Sequence, residues 1–385
     1  MALKNIRVIE MVGLAPGPFC GQILRDFGAE VIRIEKIGGS IIKDFLTRGK
    51  QTLQVDLKSP QGAKVVEKLC SKADVLLDPF RAGVMERLGL GPESVTQLNK
   101  RLIYARLTGY GQYGPLSKTA GHDLNYLAIS GVLSLLGSPK PALPQGPVNF
   151  LADFAGGSLT CALGICMALL ERNQSGLGQV IDANMTEGSR YLSTYMHFTR
   201  NDDSPIASLL WPQKSQRGRN LLDGGAAFYS VYETKDGKYM AVAAIEPQFF
   251  DELCKILEID RNKFSPGLLD SDDHGALRKE LTRIFKSKTR DEWSKIFHQK
   301  DACVTPVLDY EEACEYDHNK VRQASLLDGS PIPAPRLTRT PSSPPDRESS
   351  IPDLHQFLIE KGIDPAECDQ FITQGVVKLP SKSNL

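Results

Sequence analysis

The chain has 385 residues, 41% apolar and 24% charged, enough to bury a substantial core and to build two domains. Forty-six basic residues balance forty-six acidic ones, which excludes the compositional footprint of a nucleic-acid binder or a polybasic membrane surface. The eight cysteines show no CxxC pair and no histidine at metal-ligand spacing, so reduced thiols, an intracellular setting and no metal are expected.

The amino terminus passes at once into a strand, Ile6 to Ile9, leaving no room for a signal peptide, and the mature protein is expected to start here. A helix from Gly17 to Phe27, a strand from Val31 to Ile34, a helix from Pro60 to Cys70 and strands Val75 to Leu77 and Leu102 to Leu107 follow. This alternation predicts a parallel sheet with helices on both faces. A helix over 123–136, a long helix from Asp153 to about Arg172, a strand over 179–181 and a helix over 185–197 complete a large domain over 1–200. Leu159 to Leu170 is shorter than the roughly 18 residues of a membrane span, so a buried core helix is expected, with Cys161 and Cys166 as small core residues. Polar, glycine-rich sequence over 201–225 reads as a linker. A small domain over 226–320 then opens with a hairpin, Phe228 to Tyr232 and Tyr239 to Ala244, and continues in helices. Seven prolines between Pro331 and Pro352 mark an extended connector within the segment 321–385, which is expected to return to the large domain.

Gly13 to Pro18 opens a strand-turn-helix unit, but Ala15 and Pro18 stand where a dinucleotide fingerprint needs glycine, which argues against NAD binding. Arg81 and Arg87, just after a strand, suit phosphate groups or are solvated surface residues. Lys36, Lys58 and Arg48 extend that cluster along the sheet edge into a diphosphate site. His122 opens a helix in the segment Gly121, Asp123, Leu124, Asn125, Tyr126, and an imidazole exchanges a proton at physiological pH. Asp153, at the start of the apolar helix, reads either as a helix cap or as a carboxylate beside an oxyanion formed under unsatisfied N–H groups. Glu246, where a strand ends before Pro247, is either an exposed helix-start residue or a carboxylate able to orient an imidazole.

Together these segments resemble the α-methylacyl-CoA racemases of the family III CoA-transferase superfamily, from Gly13 to Phe19 through Gly121 to Tyr126, Leu151 to Gly157, Leu222 to Gly225, Ala244 to Gln248 and Asp301 to Val307. Residues 201–219 and the tail beyond Pro335 do not match. The resemblance implies a large Rossmann-like parallel-sheet domain with a smaller α+β domain in an interlocked homodimer, each site lying between domains of different subunits. It implies His122 and Asp153 as opposed bases, Glu246 of the other copy orienting His122, and Asn149 beside Asp153. Arg81 and Arg87 would hold coenzyme A phosphates, with Lys36, Val55, Asp56, Leu57, Lys58, Gly121, Asp123, Leu124, Asn125 and Tyr126 lining the ligand. Position 36 is usually arginine in such proteins, so Lys36 replaces a bidentate fork by a point charge.

The implied reaction interconverts (2R)- and (2S)-2-methylacyl-CoA thioesters through an enolate, with no cofactor beyond the substrate's own coenzyme A. The enolate oxygen is expected to take N–H donors from the start of the Asp153 helix. Two alternatives stand: a CoA-transferase in which Asp153 attacks the thioester, and a carrier with a vestigial site. The terminus Ser383, Asn384, Leu385 is a variant of the Ser-Lys-Leu peroxisomal address or an accidental match. The resemblance favours the address, animal members occupying peroxisomes and mitochondria.

Overall fold

The structure, a computed structural model, describes residues 1–39, 43–264, 271–342, 351 and 353–380. Two compact units are formed: Met1–Ser130, Pro147–Leu192 and Ile332–Leu385 make the first, Gly131–Gly146 and Ser193–Pro331 the second.

The first unit is built on a seven-stranded sheet in the order β10-β3-β2-β1-β4-β5-β6. Strands β1 (Arg7–Met11), β2 (Glu30–Glu35), β3 (Gln51–Val55), β4 (Val75–Asp78), β5 (Ile103–Thr108) and β6 (Val180–Asn184) run parallel; β10 (Val377–Lys378) pairs antiparallel with β3, Val377 opposite Val55. Strands β1 to β5 are buried along almost their whole length, as a sheet covered on both faces requires. Helices α1 (Pro16–Asp26), α2 (Pro60–Ser71), α3 (Val84–Arg87) and α4 (Pro92–Leu98) cross between strands; Ser59 caps α2, accepting the Gln61 N–H, with Pro60 in its first turn. With the order 3-2-1-4-5-6, the loops after the strands open at the carboxyl edge of the sheet, where this class of fold places its ligands.

One buried ion pair ties β1 to the approach to β3. The Lys50 Nζ lies 3.0 and 2.8 Å from the two Glu10 carboxylate oxygens and donates to the Pro18 carbonyl at 2.8 Å, and neither side chain is exposed. Position 21 must be glycine here, since a Cβ would stand 1.7 Å from Glu10 Oε2.

Two expected helices depart from their expected form. α5 (Asp123–Ser130) stops where Gly131 takes a left-handed φ of 82°, and a short 3-10 turn, Val132–Leu135, replaces its last turns. The run expected as one α-helix from Asp153 is a π-helix over Phe150–Leu159 that becomes α6 at Thr160–Ser175, closed by Gly176. Counted as one helix of 26 residues, it is long and apolar enough to cross a membrane, which the shorter apolar run in the sequence did not suggest. Half of its most apolar window is buried, and it packs against α1, β5, β6 and α7 (Met185–Leu192). Cys161 is buried as expected of a core thiol, whereas Cys166 faces outward.

The second unit holds α8 (Thr194–Asn201), α9 (Pro205–Leu210) and an antiparallel sheet β7-β8-β9, formed by Tyr229–Glu233, Tyr239–Ala243 and Val304–Val307. Helices α10 (Pro247–Ile256), α11 (Ser271–Phe285) and α12 (Arg290–Phe297) cover it, with Tyr232, Met240, Phe285, Trp293 and Phe297 in its core. Residues 201–225, expected as a linker, contain α9, because Ser204 caps it by accepting the Ala207 N–H and Pro205 starts it. Two short helices, α13 (Glu312–Glu315) and α14 (Asp317–Val321), lead out of the unit. The chain then returns to the first unit through α15 (Leu354–Glu360) and α16 (Pro365–Thr373), whose caps are Asp353 and Asp364.

Candidate active site

The start of α5 and the π-helix are held together by hydrogen bonds. The Asp123 Oδ2 accepts from the backbone N–H groups of Ala152 and Asp153, at 2.8 and 2.9 Å. Asn149 Nδ2 donates to Asp153 Oδ2 at 2.8 Å, and Ser158 Oγ contacts the carbonyls of Pro16 and Asp153 at 2.7 and 3.0 Å. Local widening to π geometry marks functional segments in many helices. Here the glycines after Asp153 let α7 approach main chain to main chain: a Cβ at Gly188 would stand 1.8 Å from the Gly156 carbonyl.

His122 precedes α5 with its side chain exposed, and its backbone N–H donates to Asn125 Oδ1 at 3.1 Å, so Asn125 closes the helix start. Tyr126 donates its hydroxyl to the Gly121 carbonyl and sets its ring edge-on to Tyr110 at 5.0 Å. Both contacts fix the peptide that carries His122.

Burial pushes the Asp153 carboxyl up to about 6; the Asn149 hydrogen bond and the His122 charge pull it down, and the charge of Asp123 pushes it further up. A carboxyl in that range holds and releases a proton near neutrality. Burial, followed by the Asp153 charge, likewise pushes the Tyr126 phenol up to about 12.

The anchors expected from the sequence follow successive strand ends. Lys36 comes after β2, Asp56 to Lys58 after β3, and Arg81 and Arg87 after β4. Arg81 donates to the Lys118 carbonyl at 3.2 Å, and neither it nor Arg87 has a carboxylate partner among the described residues. Beneath that loop, Arg106 on β5 contacts Asp78 at 3.2 Å and Glu86 at 2.7 Å, bracing β4 against α3. Burial raises the Asp78 carboxyl to about 6. This brace, and Lys118 beside Arg81, were not singled out in the sequence because their partners are far apart in the chain.

Four sequence expectations need correction. Arg48 is no part of the anchor cluster, since it precedes β3 and pairs with Asp26 at the far end of α1, 2.9 Å away. The Val55 side chain is wholly buried and its main chain pairs with β10, so neither is open to a ligand. Asp123 turns inward onto two N–H groups instead of toward a ligand. Those same bonds occupy two of the N–H groups, at 152 and 153, of the helix start expected to serve the enolate oxygen.

Leu124 is exposed beside His122, and Glu246 is the exposed N-cap residue of α10 in the second unit, where burial, followed by the Glu246 charge, raises the nearby Cys303 thiol. Among the described residues no group of three His, Cys, Asp or Glu side chains is placed to hold a metal ion.

Fold and site together define an α/β protein with basic residues after successive strand ends and a raised carboxyl tied to the helix that follows a histidine. The model of CoA-transferase family III matches residues 3–352, and the chain belongs to that family. It is 49% identical to the alpha-methylacyl-CoA racemase of Mus musculus, aligned over all of both chains, and 48% identical to that of Homo sapiens over 98% of each. A CAIB/BAIF family protein from Brucella suis shares the fold, with a TM-score of 0.76 over 94% of this chain and 99% of its own, at 24% identity.

Proposed function

We propose that the chain is an isomerase that interconverts (2R)- and (2S)-2-methylacyl-CoA thioesters, moving the C2 proton out and back through an enolate. The observation that carries this reading is the Asp153 carboxyl, raised into the neutral range and joined through Asp123 to the helix that His122 opens. Similarity to two racemases over essentially the whole chain supports it.

The C2 proton of a thioester is a far weaker acid than either base's conjugate acid, and each unmatched pKa unit costs about 1.4 kcal/mol. Stabilisation of the enolate oxygen must supply the difference. The backbone N–H groups of Asp123 and Leu124, at the start of α5, have no acceptor among the described residues and stand next to His122. They take the place of the donors at 152 and 153. His122 removes the proton from one face and Asp153 returns one to the other, with the roles exchanged for the opposite epimer. Asn149 fixes the carboxylate rotamer, and Glu246 is assigned to orienting the imidazole from a partner copy. Both epimers should therefore take up deuterium at C2 from heavy water, and an absence of wash-in by the native protein would sink the reading.

A CoA-transferase needs an ionised carboxylate as nucleophile. A raised proton affinity at Asp153 beside an imidazole suits proton carriage better. Trapping of an acyl group at Asp153 by hydroxylamine during turnover would favour the transferase, and binding without exchange would favour a carrier.

Arg81 and Arg87 are assigned to the coenzyme A phosphates, with Lys36 and Lys58 beside them. Alanine at either arginine should raise KM about 10- to 100-fold, as loss of a charged hydrogen bond worth about 1.5–3 kcal/mol implies, with kcat little changed. A pantetheine thioester lacking those phosphates should not feel either change.

A homodimer belongs to the same proposal. Along α6 and the π-helix, Leu159, Leu163, Met167 and Leu170 form an apolar stripe, each at least half exposed. The peroxisomal assignment rests on residues 383–385, which lie outside the described residues, and on the family resemblance; a mitochondrial share rests on the resemblance alone. Fusions with and without residues 383–385 compare the compartments directly.

A further inference from the structure

We infer that Asp123 is a positioning residue for proton transfer, resting on the reading above: its carboxylate clamps the Asp153 segment to the helix that His122 opens and sets the charge in which the two bases share their proton.

The geometry is specific. One oxygen, Oδ2, accepts from two consecutive backbone N–H groups, those of Ala152 and of Asp153 itself, and Asp123 is almost wholly buried. A π-helix start leaves its first N–H groups without partners in the helix, and an anionic cap there is favoured by the helix dipole as well as by the bonds. Because Asp123 follows His122 directly, the cap fixes the distance between the two bases through a single side chain. No metal, water or bridging residue is needed. The far end of the same segment is held by Ser158, so Asp153 is pinned on both sides.

The clamp is also a charge. Those acting on the Asp153 carboxyl belong to Asp123 and His122, with Asn149 as its neutral partner. The phenol of Tyr126, one turn along α5, responds to Asp153 in turn. Of the elements packed on the same segment, α7 carries Glu187, Arg190 and Tyr191, α1 carries Cys20, Arg25 and Asp26, α6 carries Cys161, Cys166, Glu171 and Arg172, β5 carries Tyr104 and Arg106, and β6 carries Asp182; the leading charges at the Asp153 carboxyl are those of Asp123 and His122. The active form holds one proton between His122 and Asp153, so kcat/KM follows a bell in pH whose two limbs belong to the pair. The negative charge of Asp123 raises the proton affinity of the Asp153 carboxyl. It therefore holds the acid limb at higher pH than the pair would have alone.

Asp123→Asn keeps an acceptor oxygen and removes the charge. The structure predicts a kcat loss of about tenfold or more, a KM within about threefold of the native value, and the acid limb of the bell displaced to lower pH by about half a unit or more. A bell at the native pH, or a change in KM alone, would overturn the inference and return Asp123 to ligand binding. Should the variant fail to fold, hydrogen exchange on the native protein decides: the amides of Ala152 and Asp153 should exchange slowly, and rapid exchange at both would remove the clamp. Deuterium wash-in by the native enzyme is run alongside. Absent wash-in refutes the racemase reading, whereas normal wash-in with an unmoved Asp123→Asn bell refutes only the role of Asp123.

Discussion

Asparagine at Asp153 should lower epimerisation about 100- to 10,000-fold, the range in which a positioned acid or base contributes. The substitution keeps the side chain's shape and one acceptor for Asn149, so substrate affinity should hold while kcat falls. A sharper signature follows from the two-base arrangement. With Asp153 silenced, His122 should still exchange the C2 proton of the one epimer it faces, without inverting it. Alanine at His122 should leave the complementary, one-sided exchange to Asp153. Mass spectrometry of each epimer after incubation in heavy water reads both outcomes, and residual inversion by either variant at native rates would exclude the pair as bases. Protonating Asp153 below about 6 adds a second proton to the pair, so activity should fall on the acid side through that range.

Methionine at Lys50 should cost about 3–5 kcal/mol of stability, because Glu10 would then remain fully buried with its charge unmatched. Burial already pushes the Glu10 carboxyl up despite Lys50. Replacing both partners, Lys50→Met with Glu10→Gln, should recover most of the loss, since no lone charge is left inside. Urea unfolding of the single and double variants checks this. A single variant as stable as the native chain would show that the pair is dispensable. The first transition is the one to compare, because a chain of two units need not unfold in one step.

Most of the parallel sheet was legible because β1, β2, β4 and β5 are runs of branched apolar residues separated by glycine or proline. Strand β3 was not: Thr52 and Gln54 interleave polar groups that the fold buries and that no local pattern marks as interior. His122 and Asp153 were singled out through the residues around them, and the structure joins their segments. The clamp between them was not, since it joins side chain to main chain across 29 and 30 positions, and a sequence shows only that an Asp follows a His. Arg48 misled for the opposite reason. Its place beside a strand suggested the ligand edge, but which end of a strand a residue occupies is fixed by chain direction, and Arg48 enters β3 rather than leaving it.

The π-helix has a consequence for how this site can vary. An α-helix advances about 100° per residue, and a π turn holds one residue more than an α turn. Were the segment to relax into α geometry with its length unchanged, the residue now held in the wide turn would become a shift of register against α6. Asp153 would then swing by about 100° relative to α6, away from the helix His122 opens. The wide turn therefore acts as a one-residue register stop, so that the width of one turn separates an intact helix that presents its carboxylate from an intact helix that does not.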